Sequence, residues 1–416
     1  MDQSNRAVND NGVKKEISGR KIFVAVFLMA IVVAFQFLYI RGIGFGDARE
    51  WRMTETGEGV DYDFNTSASF HSYNSRNYFF CTRDGMKYES SGGVTRWQFF
   101  YNISKPVMKA SHDKVAVGEF RGRQIYVFDS NGLLYEVPFE DPVLFFSVNE
   151  SGYLSVILQL DQGYAVNVYN QRNNFKPLYS NVIRDRLIHP FGVDVSADGR
   201  FTVIAMMDMN VRMTLRVLFY FTNQWDSPTV DGLIASEHFN GQISIPPAVK
   251  FMSDNRVLIF SDERIVCFRL GTQTMCDELW QIPLHNKIDA LAFYGGSRFA
   301  FAAGEPFLND ENALEAGLLQ IYSVSGEKTG EYALARRATH LSMGWDAALV
   351  GADRNFFAIS ASGNRLWEYV SLQDTSQFIF LDNTDTVLMA GATSASVLKR
   401  VRVRLQAAED GIDELR

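Results

Sequence analysis

The chain has 416 residues, 47% of them hydrophobic and 13% aromatic, so it can bury a large core; its formal net charge is −8. That balance excludes a nucleic-acid binder, which needs a concentrated excess of Lys and Arg to displace counterions. The one basic run beyond residue 60, "KRVRVR" at 399–404, alternates, placing Lys399, Val401 and Val403 on one face and Arg400, Arg402 and Arg404 on the other, as in an outer strand with a wet face.

Residues 1–21 are polar and aperiodic, and we read them as a cytoplasmic tail. Residues 22–40, "IFVAVFLMAIVVAFQFLYI", carry no charge, and as a helix they span roughly 28 Å, one membrane crossing. Arg6, Lys14, Lys15, Arg20 and Lys21 precede the run, so the positive-inside rule puts the N-terminus in the cytoplasm and everything after Arg41 outside it. The run exceeds a usual signal-peptide core and is followed by "RGIGFG" rather than a small-residue cleavage site, which favours an uncleaved signal anchor over a cleaved leader. The expected address is the cytoplasmic (inner) membrane, single-pass, with the outer part periplasmic or extracellular. Residues 41–59 read as a linker.

From residue 60 to 405 the chain is a succession of short Val-, Ile-, Phe- and Tyr-rich runs separated by turn chemistry such as "DSNG", "NESG", "SADG" and "SASGN". No segment of helical period interrupts them, so this region is all-β. First strands are expected at 67–72, 106–111, 142–148, 191–196, 247–252, 288–293, 339–344 and 377–382, each followed by further short strands. The steps between them run from 36 to 56 residues, the range of four-stranded propeller blades. Eight blades are favoured, with seven as the alternative if one placement fails. The eighth unit ends after 397–403 without a fourth strand, which "GVDYDFN" (59–65) would supply, closing the ring. Residues 406–416 form a polar tail.

Fourth strands often carry a Trp or Tyr, as in "TRWQFF", "ELWQIPL" and "RLWEYV". Recurrence at one structural position assigns these rings to packing between blades rather than to a ligand, which would need aromatics converging on one channel mouth. The Gly-x-x-x-Trp strands "GVTRWQF" and "GNRLWEY" resemble the repeats of quinoprotein-type (PQQ-like) β-propellers, and "HPFGVDVSADGRFTVIA" (189–205) resembles those of YVTN-type propellers. The plan of one N-terminal helix and a degenerate propeller is similar to uncharacterised membrane-anchored bacterial propeller proteins. The resemblance implies fold rather than chemistry. It departs from the quinoprotein enzymes where they hold their cofactor, since there is no vicinal Cys pair and no recurrent acidic cluster that maps onto calcium and quinone ligands.

Chemistry is sparse. The six His are scattered singly, without metal-ligand spacing; His71, His189 and His340 fall on or beside first strands, either as a channel ring or as solvated polar residues. No nucleophile elbow, P-loop or other catalytic signature occurs, and no metal or cofactor is expected. Cys267 and Cys276 flank "FRLGTQTM" and are either bridged across a hairpin or two reduced, semi-buried residues. Two excursions are candidate interaction loops: 221–241 with Trp225 and Asp226, and the insertion 304–317 with Glu305, Asp310, Glu311 and Glu315. Sequons at Asn65, Asn102 and Asn149 are no more than chance provides. The expected function is a non-catalytic, membrane-anchored scaffold that binds an envelope protein. The alternative is a ligand-binding or enzymatic propeller for a quinone, a sugar or a peptidoglycan fragment.

Overall fold

The computed structural model describes residues 49–63, 68–73, 76–210, 213–223, 231–239, 249–271, 276–306, 317–382 and 384–404. Eight four-stranded antiparallel sheets, the blades, account for nearly all of it. In seven of them, strands A to D follow the chain and pair with their sequence neighbours. The eight A strands are Ser69–His71, Pro106–Ser111, Val143–Val148, Ile188–Val195, Val249–Phe251, Asn286–Tyr294, His340–Met343 and Gln377–Phe380, matching all eight expected positions. A strands of neighbouring blades touch one another through blades 2 to 5 and again from blade 6 through 7 and 8 to 1, as expected if they line the axis. The protein is an eight-bladed β-propeller.

Local chemistry explains the hairpins. In "SADG", Asp198 Oδ1 accepts from Ser196 Oγ (2.6 Å) and from the Arg200 amide (3.0 Å), while Gly199 takes φ +72° and donates its amide to Ser196 O (2.9 Å). The apolar run "FTVIAMMD" then enters strand B of blade 4, Phe201–Asp208, whose first six residues are buried. Because a blade buries both faces, B and C strands read as near-continuous apolar runs rather than strict alternation.

The core consists of apolar layers between blades. Each of eight buried clusters joins residues of two neighbouring sheets; Phe70, Tyr78 and Phe80 of blade 1, for example, pack on Leu381, Leu388 and Val397 of blade 8. Full burial of such a side chain contributes about 1.5–3 kcal/mol. The Phe70 amide also donates to Gln377 Oε1 across that boundary (2.7 Å).

Blade 8 takes its D strand from the N-terminal side of the propeller, as expected, but the strand is Arg49–Asp61. It therefore begins inside the stretch read as a linker, because "REWRMTETGEGVD" pairs along Ser394–Arg404. Thr56 Oγ1 donates to Val397 O (3.2 Å), and Tyr62 Oη reaches both Gly391 O (2.9 Å) and Ser394 O (3.1 Å). The excursion 221–241 is also shorter than read: Leu233–Phe239 is strand D of blade 4, paired with Thr214–Phe221. Arg52–Val401 forms one compact unit, and residues 49–51 and 402–404 fall outside it. Among the described residues no helix is long and apolar enough to cross a membrane. The proposed anchor, 22–40, lies outside them.

Candidate functional site

The recurrent aromatics of the D strands pack between blades. Trp97 stacks on Phe128 of blade 2 (5.7 Å between centroids) and donates its indole N–H to Ser130 O (3.0 Å). Trp280 stacks on Phe299 of blade 6 and donates to Val324 O (3.2 Å). Trp367, buried, lies beside Phe378 of blade 8 and donates to Thr384 O (2.6 Å). Tyr135 does the same through its hydroxyl to Gly152 O of blade 3 (2.7 Å).

A different aromatic set converges at one end of the axis. In an antiparallel blade the A–B turns all emerge at one end, and there four of them bring together Tyr73 (blade 1), His112 (blade 2), Tyr294 (blade 6) and Trp345 (blade 7). Tyr73 and His112 lie 4.5 Å apart between ring centroids, and Tyr294 meets Trp345 edge to face at 6.0 Å. The sets join across the axis: a Cβ placed on Gly295 would come within 3.2 Å of His112 Nε2. His112 adopts φ +55°, a conformation that costs a non-glycine residue energy, and its Nδ1 lies 3.1 Å from Glu150 of blade 3.

This bridge stands between two cavities. The larger, about 710 Å³, is lined by the four rings together with Lys250, Leu341, Met343, Asp346 and Asp382; the smaller, about 30 Å³, lies under blades 2 to 6, and Lys250 lines both. Trp345 keeps 70% of its surface exposed although its loop is fixed, with Arg298 of blade 6 donating to Trp345 O (3.0 Å) and lying 3.5 Å from Asp346. Burial first, then the charges of Glu150 and Asp113, raises the Tyr73 hydroxyl above its usual range; burial and then Tyr73 raise that of Tyr294. Both remain neutral hydrogen-bonding groups at physiological pH.

Below the rim, A strands of blades 2 to 5 supply a polar wall. Asp194, almost fully buried, accepts from Ser147 Oγ (3.1 Å) and from the Phe251 amide (2.8 Å) and pairs with Lys250 Nζ (3.2 Å). Lys109 Nζ sits over the Phe145 ring at 5.7 Å.

A match to the family model described as "Family of unknown function (DUF5711)" covers residues 49–399. The chain belongs to the DUF5711 family. No curated protein matches it. Among solved structures this DUF5711 propeller is similar, at 12% identity and a TM-score of 0.48, to BamB from Moraxella catarrhalis, over 84% of this chain and 100% of that one. It is similar at 12% and 0.43 to a chain of the mitotic checkpoint complex (86% and 97% covered), and at 10% and 0.44 to one of a eukaryotic initiation factor (73% and 88%).

The residues singled out in the DUF5711 sequence fall elsewhere. Trp225, Asp226, Asp310, Glu311 and Glu315 lie outside the described residues; Glu305 belongs to strand B of blade 6, opposite Lys287. Cys267 and Cys276 are free thiols, since the register sets Cys267 against Trp280 and Cys276 against Leu270; burial pushes both up to about 12. The three histidines form contacts between blades rather than a ring: His71 Nε2 to His112 O (2.8 Å), His189 Nδ1 to Tyr164 Oη (2.5 Å) and His340 Nε2 to Ser376 O (3.1 Å). Of them only His71 lines the mouth cavity. The rim rings were missed because they lie far apart in the chain. Aligning the units on their A strands would have shown an aromatic or imidazole in the A–B turn of four blades: "SYNS", "SHDK", "FYGGS" and "GWDA".

Proposed function

We propose that the protein is a non-catalytic binding module whose A–B mouth grips an extended segment of a partner protein, held by residues 22–40 at the outer face of a bacterial cytoplasmic membrane. The observation that carries this reading is Trp345: a large ring left exposed on a loop that hydrogen bonds hold in place, beside Tyr73, His112 and Tyr294 over a cavity of about 710 Å³. Exposed Trp and Tyr on a rigid support are efficient anchors, because they bury much area for little lost conformational entropy. Tethering reduces the search for a membrane partner to the plane of the bilayer and raises effective concentration. The expected partner is another envelope protein.

A second reading rests on the same cavity, whose volume is within the roughly 300–1,000 Å³ range of small-molecule sites. It replaces the partner segment with a quinone, a sugar or a peptidoglycan fragment. The two separate in one experiment, native mass spectrometry of the full chain purified from its own cells beside co-purification with wild type and Trp345→Ala. A partner retained by wild type and lost by the variant supports the module. A defined small-molecule mass with no partner supports the second reading.

A further inference from the structure

We infer that the segment taken up at the mouth is proline-rich and lies there as a polyproline II strand, its pyrrolidine rings against the rim aromatics and its carbonyl oxygens on the rim hydrogen-bond donors. The inference rests on the binding reading above and adds the chemistry of the occupant.

The hydrogen-bond inventory of the cavity carries it. Its two lining carboxylates already face guanidinium groups: Asp346 lies 3.5 Å from Arg298, and Asp382 accepts from Arg76 Nε (3.1 Å). Two turn carbonyls are engaged as well, Trp345 O by Arg298 (3.0 Å) and His112 O by His71 Nε2 (2.8 Å). Donors are left over. The Tyr73 and Tyr294 hydroxyls and the Trp345 indole N–H belong to residues lining the same cavity, and among the described residues none of the three has an acceptor. The occupant that completes such a site brings acceptors and few donors. Proline supplies that combination, because it has no N–H while its carbonyl remains, and a polyproline II strand makes no internal hydrogen bonds that would occupy those carbonyls. Ring geometry narrows the class further. Tyr294 meets Trp345 at 89° and Tyr73 meets His112 at 57°, so the rim presents steeply angled faces rather than a parallel slot for a planar quinone. Angled faces suit a puckered pyrrolidine, whose C–H bonds lie well against the electron-rich face of an aromatic ring. A sugar carries a donor on every hydroxyl and would compete for acceptors already engaged. The turns are also held before anything binds. Gly344 N donates to Ala347 O (2.8 Å) beside Trp345, and Ser253 fixes Gly296 O beside Tyr294 through its amide (2.9 Å) and its Oγ (2.8 Å). A stiff strand on a rigid rim loses little conformational entropy on binding.

Calorimetric titration of the full chain in detergent tests this, with acetyl-decaproline amide, a Gly-Ser peptide of the same length, N-acetylglucosamine and duroquinone as probes. Decaproline is expected to bind wild type and to bind Trp345→Ala about tenfold more weakly or worse. Tyr294→Phe, which keeps the ring and loses the donor, is expected to weaken it about two- to tenfold. The Gly-Ser peptide, with its own N–H groups and no preferred conformation, is expected to show no measurable binding. Trp345 is 70% exposed, so Trp345→Ala should keep the wild-type urea midpoint, and its loss of binding is read on a folded protein. No decaproline binding, equal binding of the Gly-Ser peptide, or decaproline binding unchanged in Trp345→Ala and Tyr294→Phe overturns the inference. Binding of the sugar or the quinone in place of decaproline overturns it in favour of the second reading above. If decaproline fails while a cellular partner is still lost with Trp345→Ala, the partner-segment reading stands and its proline-rich form falls. If decaproline binds through Trp345 while no cellular partner depends on that residue, the proline site stands and the envelope-partner reading falls.

Discussion

Trp280 and Phe299, from neighbouring blades, lie parallel within 8° at 6.1 Å between ring centroids, and the Trp280 N–H reaches on to Val324 O. One side chain thus joins the outer strand of blade 5 to the B strand and C–D turn of blade 6. A Cβ added to Gly326 in that turn, where φ is +86°, would lie 2.7 Å from the indole. Trp280→Ala is expected to cost about 2–3 kcal/mol, less than the ~3–5 of a fully buried Trp because this ring is only partly buried. Gly326→Ala should also destabilise, through both the clash and the left-handed backbone. Urea unfolding of the two variants and their double mutant checks this, with the double mutant less destabilised than the sum of the singles.

His71 makes acid stability a test of the blade 1 to blade 2 contact. Burial lowers its pKa in the folded protein below the 6.5 of an unhindered histidine. The unfolded chain therefore binds the proton more readily, and His71 subtracts stability as the pH falls through about 6.5 toward its folded value, with no effect above that window. His71→Gln, which retains a donor for His112 O, should flatten this part of the pH dependence. Urea midpoints at pH 8 and pH 5.5 measure it, and an identical slope in both proteins would show that another group is responsible.

Ring closure predicts that residues 49–61 matter for solubility as well as stability. Without them, Ser394–Arg404 becomes an open sheet edge. A chain lacking the N-terminal residues through 61 should aggregate under light scattering, whereas one lacking only residues 1–40, which keeps the strand, should not.

Asn149 matches a glycosylation sequon yet is a turn-forming residue. Its side chain is buried, with Oδ1 accepting from the Ser151 and Tyr153 amides (3.0 and 2.8 Å) and Nδ2 donating to Ser196 O (2.7 Å). Asn149→Ala strands these buried groups at about 1–3 kcal/mol, readable in thermal or urea melts.

The fold was legible because its determinants are local and repeated. Gly199 in "SADG" and the apolar character of the neighbouring runs act within a few residues, and the repeat multiplies the signal, so all eight A strands could be located from the sequence. Boundaries set by pairing partners were less legible: nothing local in "REWRMTETGEG" reveals that Ser394–Arg404 awaits it. The role of Trp97, Trp280 and Trp367 followed from their recurrence. The mouth was hidden for the opposite reason, since Tyr73, His112, Tyr294 and Trp345 meet only when blades 1, 2, 6 and 7 are wrapped around one axis.

The most direct test of the binding mouth is site-specific photocrosslinking in the protein's own cells. A benzophenone side chain is placed at Trp345, on the A–B end, and separately at Leu372, a still more exposed apolar position on the D–A connection at the opposite end. The account predicts a discrete crosslinked envelope protein from position 345 and none from position 372. Crosslinks from 372 with none from 345 would place the binding surface at the other end of the propeller and contradict it.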